Sequence, residues 1–182
     1  LTSELRQQAQ DAFREGKSSS FPLQERLLKF KHLMGNRHDL LLMFLEIQIQ
    51  VAFSDGELDQ SERKVLHTIA NFLGYSSTDL NNLLEMIIAG AHFQQQRAGS
   101  QGNSNFLNPK HQLNNAYKVL GLEEGNSLMH VKKAYKKLMS QHHPDKLIAK
   151  GLPPEMMNSA KEKAQDIQAA YDLILKDIKN KK

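Results

Sequence analysis

The chain has 182 residues and a mass of 20.7 kDa, enough for one large or two small domains. Hydrophobic residues make up 40% and charged residues 24%, the profile of a soluble globular protein, and the absence of cysteine excludes disulfides, thiol catalysis and cysteine-ligated zinc. The net charge of +4 is unevenly spread: residues 1–109 hold 10 Lys+Arg against 12 Asp+Glu (net −2), residues 110–182 hold 14 against 8 (net +6), and this predicts a C-terminal unit that meets an acidic partner.

No stretch reaches the roughly 20 apolar residues of a membrane-spanning helix. The longest candidate, Leu40 to Phe53, is interrupted by Glu46, Gln48 and Gln50. No charged-then-apolar leader with a small-residue cleavage site is evident either. In chain order, Leu23, Leu27, Leu28 and Phe30 begin a helical stripe, with Ser20 and Pro22 suited to its start. Leu41 to Phe53 is apolar on most faces and predicts a buried central helix, broken by Ser54-Asp55-Gly56. Asp59 and Glu62 form a capping box ahead of Leu66, Ile69, Ala70 and Leu73, and Gly74 closes that helix. Leu80, Leu83, Leu84, Ile87 and Ile88 make a further stripe. No alternation typical of a strand occurs.

Asp55-Gly56-Glu57-Leu58-Asp59 superficially suggests calcium. An EF-hand loop needs glycine sixth and a bidentate glutamate twelfth, whereas here glycine is second and Leu66 is twelfth. A helix–turn–helix with acids at the next helix start explains the residues better. The turn Ala52-Phe53-Ser54-Asp55-Gly56-Glu57 and the capped helix after it resemble the TerB-like helical domain, over about residues 20–93. That resemblance implies more helices than these stripes supply. Together with a start at Leu1 rather than Met, it predicts an N-terminally truncated fragment.

From Gln94 to Lys110 the chain is rich in glutamine, glycine, asparagine and serine, which bury too little apolar surface to offset ordering entropy. A flexible linker is expected there, joining two units that share no core. Beyond it, a helix from about Leu113 to Leu120 is expected to pack Tyr117 and Leu120 beneath the two helices that follow. The next helix, about Leu128 to Gln141, sets Val131, Ala134, Tyr135 and Leu138 on one side and Lys132, Lys133, Lys136 and Lys137 on the other. No acid lies between Leu128 and His143, so the lysines form a single-sign ridge suited to binding. Pro144 must stop the helix near His142, which predicts an exposed loop carrying His143-Pro144-Asp145, with Lys146 beside it. A last helix follows Pro153 and Pro154, with Ile167, Ala170, Tyr171 and Ile174 as its buried stripe.

Four motifs in order then carry a second resemblance. Asn115 to Leu122, Val131 to Leu138, His143-Pro144-Asp145 and Ile167 to Ile174 resemble the successive signatures of a J domain, over about residues 113–176. The usual fourth helix of that domain is missing or replaced by the lysine-rich tail, and no Gly/Phe-rich segment or cysteine repeat follows. A J domain after a TerB-like domain and a Gln/Gly-rich linker is similar to the membrane-anchored J-domain co-chaperones of bacteria. The loop from Lys146 to Met157 is similar to theirs as well.

The resemblance implies an all-α protein: a TerB-like domain over 1–93, a linker over 94–110 and a J domain over 111–182 with an antiparallel helical hairpin. It implies a regulatory co-chaperone, not an enzyme, with no cofactor and no metal, that stimulates ATP hydrolysis by a DnaK-type chaperone. Lys132, Lys133, Lys136, Lys137 and Lys146 would dock on an acidic groove. Asp145 would pair with a partner arginine, Pro144 would fix the turn, and His143 would offer a hydrogen bond and shape. Also implied are an N-terminal anchor in the bacterial inner membrane with domains facing the cytoplasm, and a link to capsule polysaccharide induction through an envelope phosphorelay. A homodimer is a further candidate partnership, and this stretch alone reads as soluble and cytoplasmic.

Two other classes fit less well. A nucleic-acid binder could use the lysine ridge on phosphates, but the ridge lacks arginine and exposed aromatics. A metallohydrolase using His142, His143 and Asp145 lacks the H-E-x-x-H spacing, and adjacent histidines rarely reach one ion.

Overall fold

The computed structural model describes residues 2–99, 109–152 and 156–181. Among these the chain is all-α, with helices α1 (Ser3–Gly16), α2 (Leu23–Met34), α3 (His38–Ala52), α4 (Gln60–Leu73), α5 (Ser77–Gly99), α6 (Pro109–Val119), α7 (Leu128–His142), α8 (Pro144–Ala149) and α9 (Met157–Asn180). None of these helices is long and apolar enough to cross a membrane.

Local chemistry fixes the helix ends. Asp59 Oδ1 accepts from the Glu62 N–H at 2.8 Å and Glu62 Oε2 accepts from the Asp59 N–H at 2.9 Å, so the expected capping box starts α4. Gly74, at φ 97°, closes α4 in the left-handed conformation that a glycine adopts without a Cβ clash. Ser76 and Asp79 cap α5 reciprocally, through bonds of 3.1 and 2.9 Å to each other's N–H groups. Helix α6 ends in a Schellman motif, with Leu122 N–H bonded to Tyr117 O at 2.9 Å and Gly121 N–H to Lys118 O at 2.8 Å.

Helices α2 to α5 build a first core around Leu41, Leu45 and Ile49, which recur every four residues along one face of α3. Leu27, Leu66, Ile69, Leu80 and Leu84 close on them. Helix α1, absent from the expected elements, buries no residue; it leaves Leu5 and Phe13 exposed and meets α2 through an ion pair between Glu15 and Arg26.

The C-terminal helices build a second core, in which α6 and α7 both pack on α9. Here two expectations are corrected. Residues 94–99 continue α5 as helix, and the rest of the expected linker, 100–108, lies outside the described residues. The two units also share a core: Ala89 and Phe93 of α5 are buried with Leu113, Ala116, Tyr117, Val131, Ile167 and Ile174. Composition pointed to a linker because glutamines dominate after Phe93. The helix persists because its apolar face turns from the first core to the second along one rod, and Gln94 donates to Asp166 of α9. Pro153 and Pro154 lie outside the described residues. Tyr171 is half-buried, its ring stacked on Tyr135 at 4.1 Å.

Phe93 is 1% exposed, so Phe93→Ala should destabilise the C-terminal helices by about 3–5 kcal/mol, although it precedes them in sequence. Urea melts followed by the near-ultraviolet dichroism of Tyr117, Tyr135 and Tyr171 check this. An unchanged midpoint would show that the two units fold independently.

Candidate functional site

Helix α7 starts at Ser127, whose Oγ accepts from the His130 N–H at 3.4 Å. Its apolar face anchors it: Val131 and Leu138 are buried in the second core, and Tyr135 donates its hydroxyl to Gln168 Oε1 of α9 at 2.5 Å. Lys132, Lys133, Lys136 and Lys137 are all exposed, as the periodicity predicts. Among the described residues none of the four is in an ion pair within the chain. Four like charges with no internal partner leave a cationic surface available for an acidic one.

At its end α7 meets the tripeptide. His143 is at once the last cap of α7 and the first cap of α8, with φ −65° and ψ 125°. This corrects the expected loop: Pro144 and Asp145 form the first turn of a short helix. Proline ends α7 because it has no N–H to continue it. For the same reason it suits the first position of α8, where no N–H is required and its fixed φ is already helical. His143 Nδ1 accepts from the Asp145 N–H at 3.2 Å, so in the neutral ring the proton sits on Nε2. The Asp145 side chain is 86% exposed and that of His143 is 41% exposed. Lys146 reaches back to Ser140 Oγ at 3.2 Å. The exposed ridge and the exposed tripeptide thus follow one another along the chain, about 16 Å from Lys132 to His143 at 1.5 Å per residue.

The residue before the tripeptide behaves differently. His142 is buried at 6% exposure and turns its Nε2 toward Glu46 Oε1 of α3, 3.8 Å away. Lys163 of α9 donates to the same Glu46 oxygen at 3.0 Å. Burial pushes the His142 pKa below the usual histidine range; Glu46 pulls it up and Lys163 adds to the depression. His142 and His143 therefore do not converge: one faces the interior, the other caps α8. Glu46 and Lys163 were absent from the sequence-derived candidates. The available signal was Glu46 itself, the lone carboxylate in the apolar run from Leu40 to Phe53.

A base buried in its neutral form contributes stability above its unfolded pKa of about 6.5 and loses it as pH falls through the folded value. Among the described residues, Glu46 from α3 and Lys163 from α9 bring charge to the imidazole. Stability should therefore decline below pH 6.5 more steeply in the native chain than in His142→Gln. Parallel urea melts between neutral pH and pH 5 check the difference in slope.

Comparison with known proteins accords with these features. The DnaJ domain family model matches residues 115–182, and the model described as tellurite resistance protein TerB matches residues 1–85. The chain is 54% identical over 185 residues to a co-chaperone protein DjlA from Vibrio cholerae, covering 97% of this chain and 65% of the relative. It is 47% identical over 189 residues to one from Haemophilus influenzae (94% and 65%) and 50% identical over 170 residues to one from Escherichia coli (91% and 62%). The chain thus spans a little under two thirds of the length of the relatives it matches. No solved structure matches it. With its tripeptide capping a short helix at the end of a lysine ridge, and a TerB domain before it, the chain is a J-domain protein resembling the DjlA co-chaperones.

Proposed function

We propose that this J-domain co-chaperone binds a DnaK-type ATP-dependent chaperone and stimulates its ATP hydrolysis. The observation that carries the proposal is the unpartnered lysine ridge running into the exposed carboxylate of Asp145. The chain supplies no catalytic group in this reading. Lys132, Lys133, Lys136 and Lys137 draw it to an acidic groove and set the register of docking. Asp145 then pairs with an arginine of the chaperone, a charge-assisted bond that planar guanidinium chemistry favours. Pro144 fixes the backbone of the turn, and the outward Nε2–H of His143 is a donor for the partner. Binding the hydrolysis-competent conformation more tightly than the other is what shifts the chaperone toward it.

Nucleic acid is the poorer partner. Tyr135, the aromatic within the ridge sequence, already has one face stacked on Tyr171 and its hydroxyl bonded to Gln168, which makes it a poor platform for a base. The resemblance to DjlA supports a reading in which the whole protein sits at the bacterial inner membrane with these domains in the cytoplasm, and in which it acts on capsule polysaccharide induction through an envelope phosphorelay.

Asp145→Asn keeps size and removes charge. It should cost little stability, about 0.5 kcal/mol, yet weaken coupling to the chaperone by about 2–5 kcal/mol, more than tenfold. His143→Gln should lose stimulation too, with about 1 kcal/mol lost from the capping bond. Steady-state ATP hydrolysis with each variant, alongside circular dichroism melts, checks both; undiminished stimulation by either would sink the mechanism.

Lys132→Glu with Lys136→Glu should weaken chaperone binding while leaving helicity unchanged. The association rate of the native chain should fall steeply as salt rises past physiological strength, where the screening length is about 8 Å. Stopped-flow association over a salt series is the measurement, and indifference to both changes would remove the ridge from the mechanism.

A further inference from the structure

Helix α3 has two working faces. Leu41, Leu45 and Ile49 build the first core, while Asp39, Met43 and Glu46, at helical spacing on another face, lie against the C-terminal unit. Asp39, held below the usual carboxylate range chiefly by its pairing with Arg37, also feels Lys150 at the end of α8. Met43 packs on the cluster of Leu147, Leu152 and Ala160, and Leu147 is the buried anchor of α8. Glu46 meets His142, the last residue of α7, and Lys163 of α9. Side chains from one face of α3 therefore reach the C-terminal unit at three points: the end of α8, its buried Leu147, and the α7–α8 junction.

This seam is chemically specific. A buried carboxylate without a partner is strongly unfavourable, whereas a fully paired one adds little net stability over an apolar contact. Its main effect here is to admit one arrangement: sliding α3 along α8 would leave Glu46 buried away from Lys163. The contacts also leave the ridge free, since Lys132, Lys133 and Lys136 stay exposed. What the seam holds is the orientation of α8 relative to α7, and therefore the direction in which Asp145 points.

We propose that Glu46 is a positioning residue for chaperone stimulation: it holds His142 and Lys163 across the seam and so fixes the α7–α8 junction that carries His143, Pro144 and Asp145. The proposal rests on the chaperone-stimulating reading above. It makes the TerB domain a part of the J domain's working geometry.

The test uses the full chain with Glu46→Gln and, separately, Lys163→Gln. Lys163 belongs to none of the apolar cores and its side chain is 19% exposed, so its variant remains informative if Glu46→Gln does not fold. Two readouts are needed: chaperone ATP hydrolysis against co-chaperone concentration, and amide hydrogen exchange of residues 145–149. Maximal stimulation should fall several-fold while the half-saturating concentration stays within about twofold, because the ridge is untouched. Exchange in α8 should accelerate about tenfold or more, with residues 131–138 unchanged. Unchanged exchange and stimulation in a folded variant would overturn the positioning role. So would increased stimulation, since Glu46 would then be a brake. A native chain that stimulates no chaperone would instead overturn the functional reading, while the exchange data would still decide whether Glu46 holds α8.

Discussion

The continuity of α5 is the constraint on which the arrangement depends. A 23-residue helix spans about 35 Å at 1.5 Å per residue and bends little without proline or a bulge. Leu80, Leu83, Leu84 and Ile87 commit its first half to the TerB domain; Ala89 and Phe93 commit the next turns to the J domain. Once both sets are buried, the rod fixes where the second unit sits relative to the first. Met43 and Glu46 of α3 then reach the C-terminal unit, and Gly121 lies against Met86, where an added Cβ would meet the sulfur at 3.4 Å. The seam is a consequence of this shared helix as much as of its own charges.

Charge does opposite work on the two sides of α7. On the outer side, four exposed lysines pair with no acid among the described residues, so their field extends into solvent and is sensitive to salt. On the inner side, His142, Glu46 and Lys163 have given up most of their water, and their interaction is short-ranged and directional. One attracts from a distance without fixing geometry; the other fixes geometry without attracting anything from outside. Between them stands a tripeptide whose aspartate, in the proposed function, is both accessible and aimed. Accessibility follows from its place in the first turn of α8, and aim from what holds that turn.

Much of this was readable from residues alone. The Asp59–Glu62 box, the Gly74 stop, the leucine stripes and the split of α7 into lysine and apolar faces are local, periodic signals that depend on neighbours three or four residues away. The four ordered motifs of residues 115–174 made the J domain legible as well. What escaped was non-local or ambiguous. Helix α1 does carry an apolar stripe, Leu5, Ala9, Ala12 and Phe13, but it is short, interleaved with glutamines, and buries nothing. Pro144 reads equally as a stop and as a start, and only Leu147, buried against Leu152 and Ala160, decides that a helix follows. Phe93 sits among glutamines, and its partners begin 20 residues later at Leu113. Glu46 and Lys163 are 117 residues apart, and neither looks unusual without the other.

That last pair shows why a J domain can be recognised in sequence without its neighbour's role being visible. The signature residues 143–145 and the lysines, the surface proposed to meet a partner, stand close together in sequence and so form a local pattern. Glu46, proposed to steady it, lies in the other domain, and an acid in an apolar helix has several ordinary explanations until its partner is known. Glu46 departs from the apolar rule of its helix where α3 faces α7 and α9, and nowhere else along that helix is a carboxylate buried. A local rule is broken where the two domains meet through charge, as expected when specificity rather than stability is what a contact supplies.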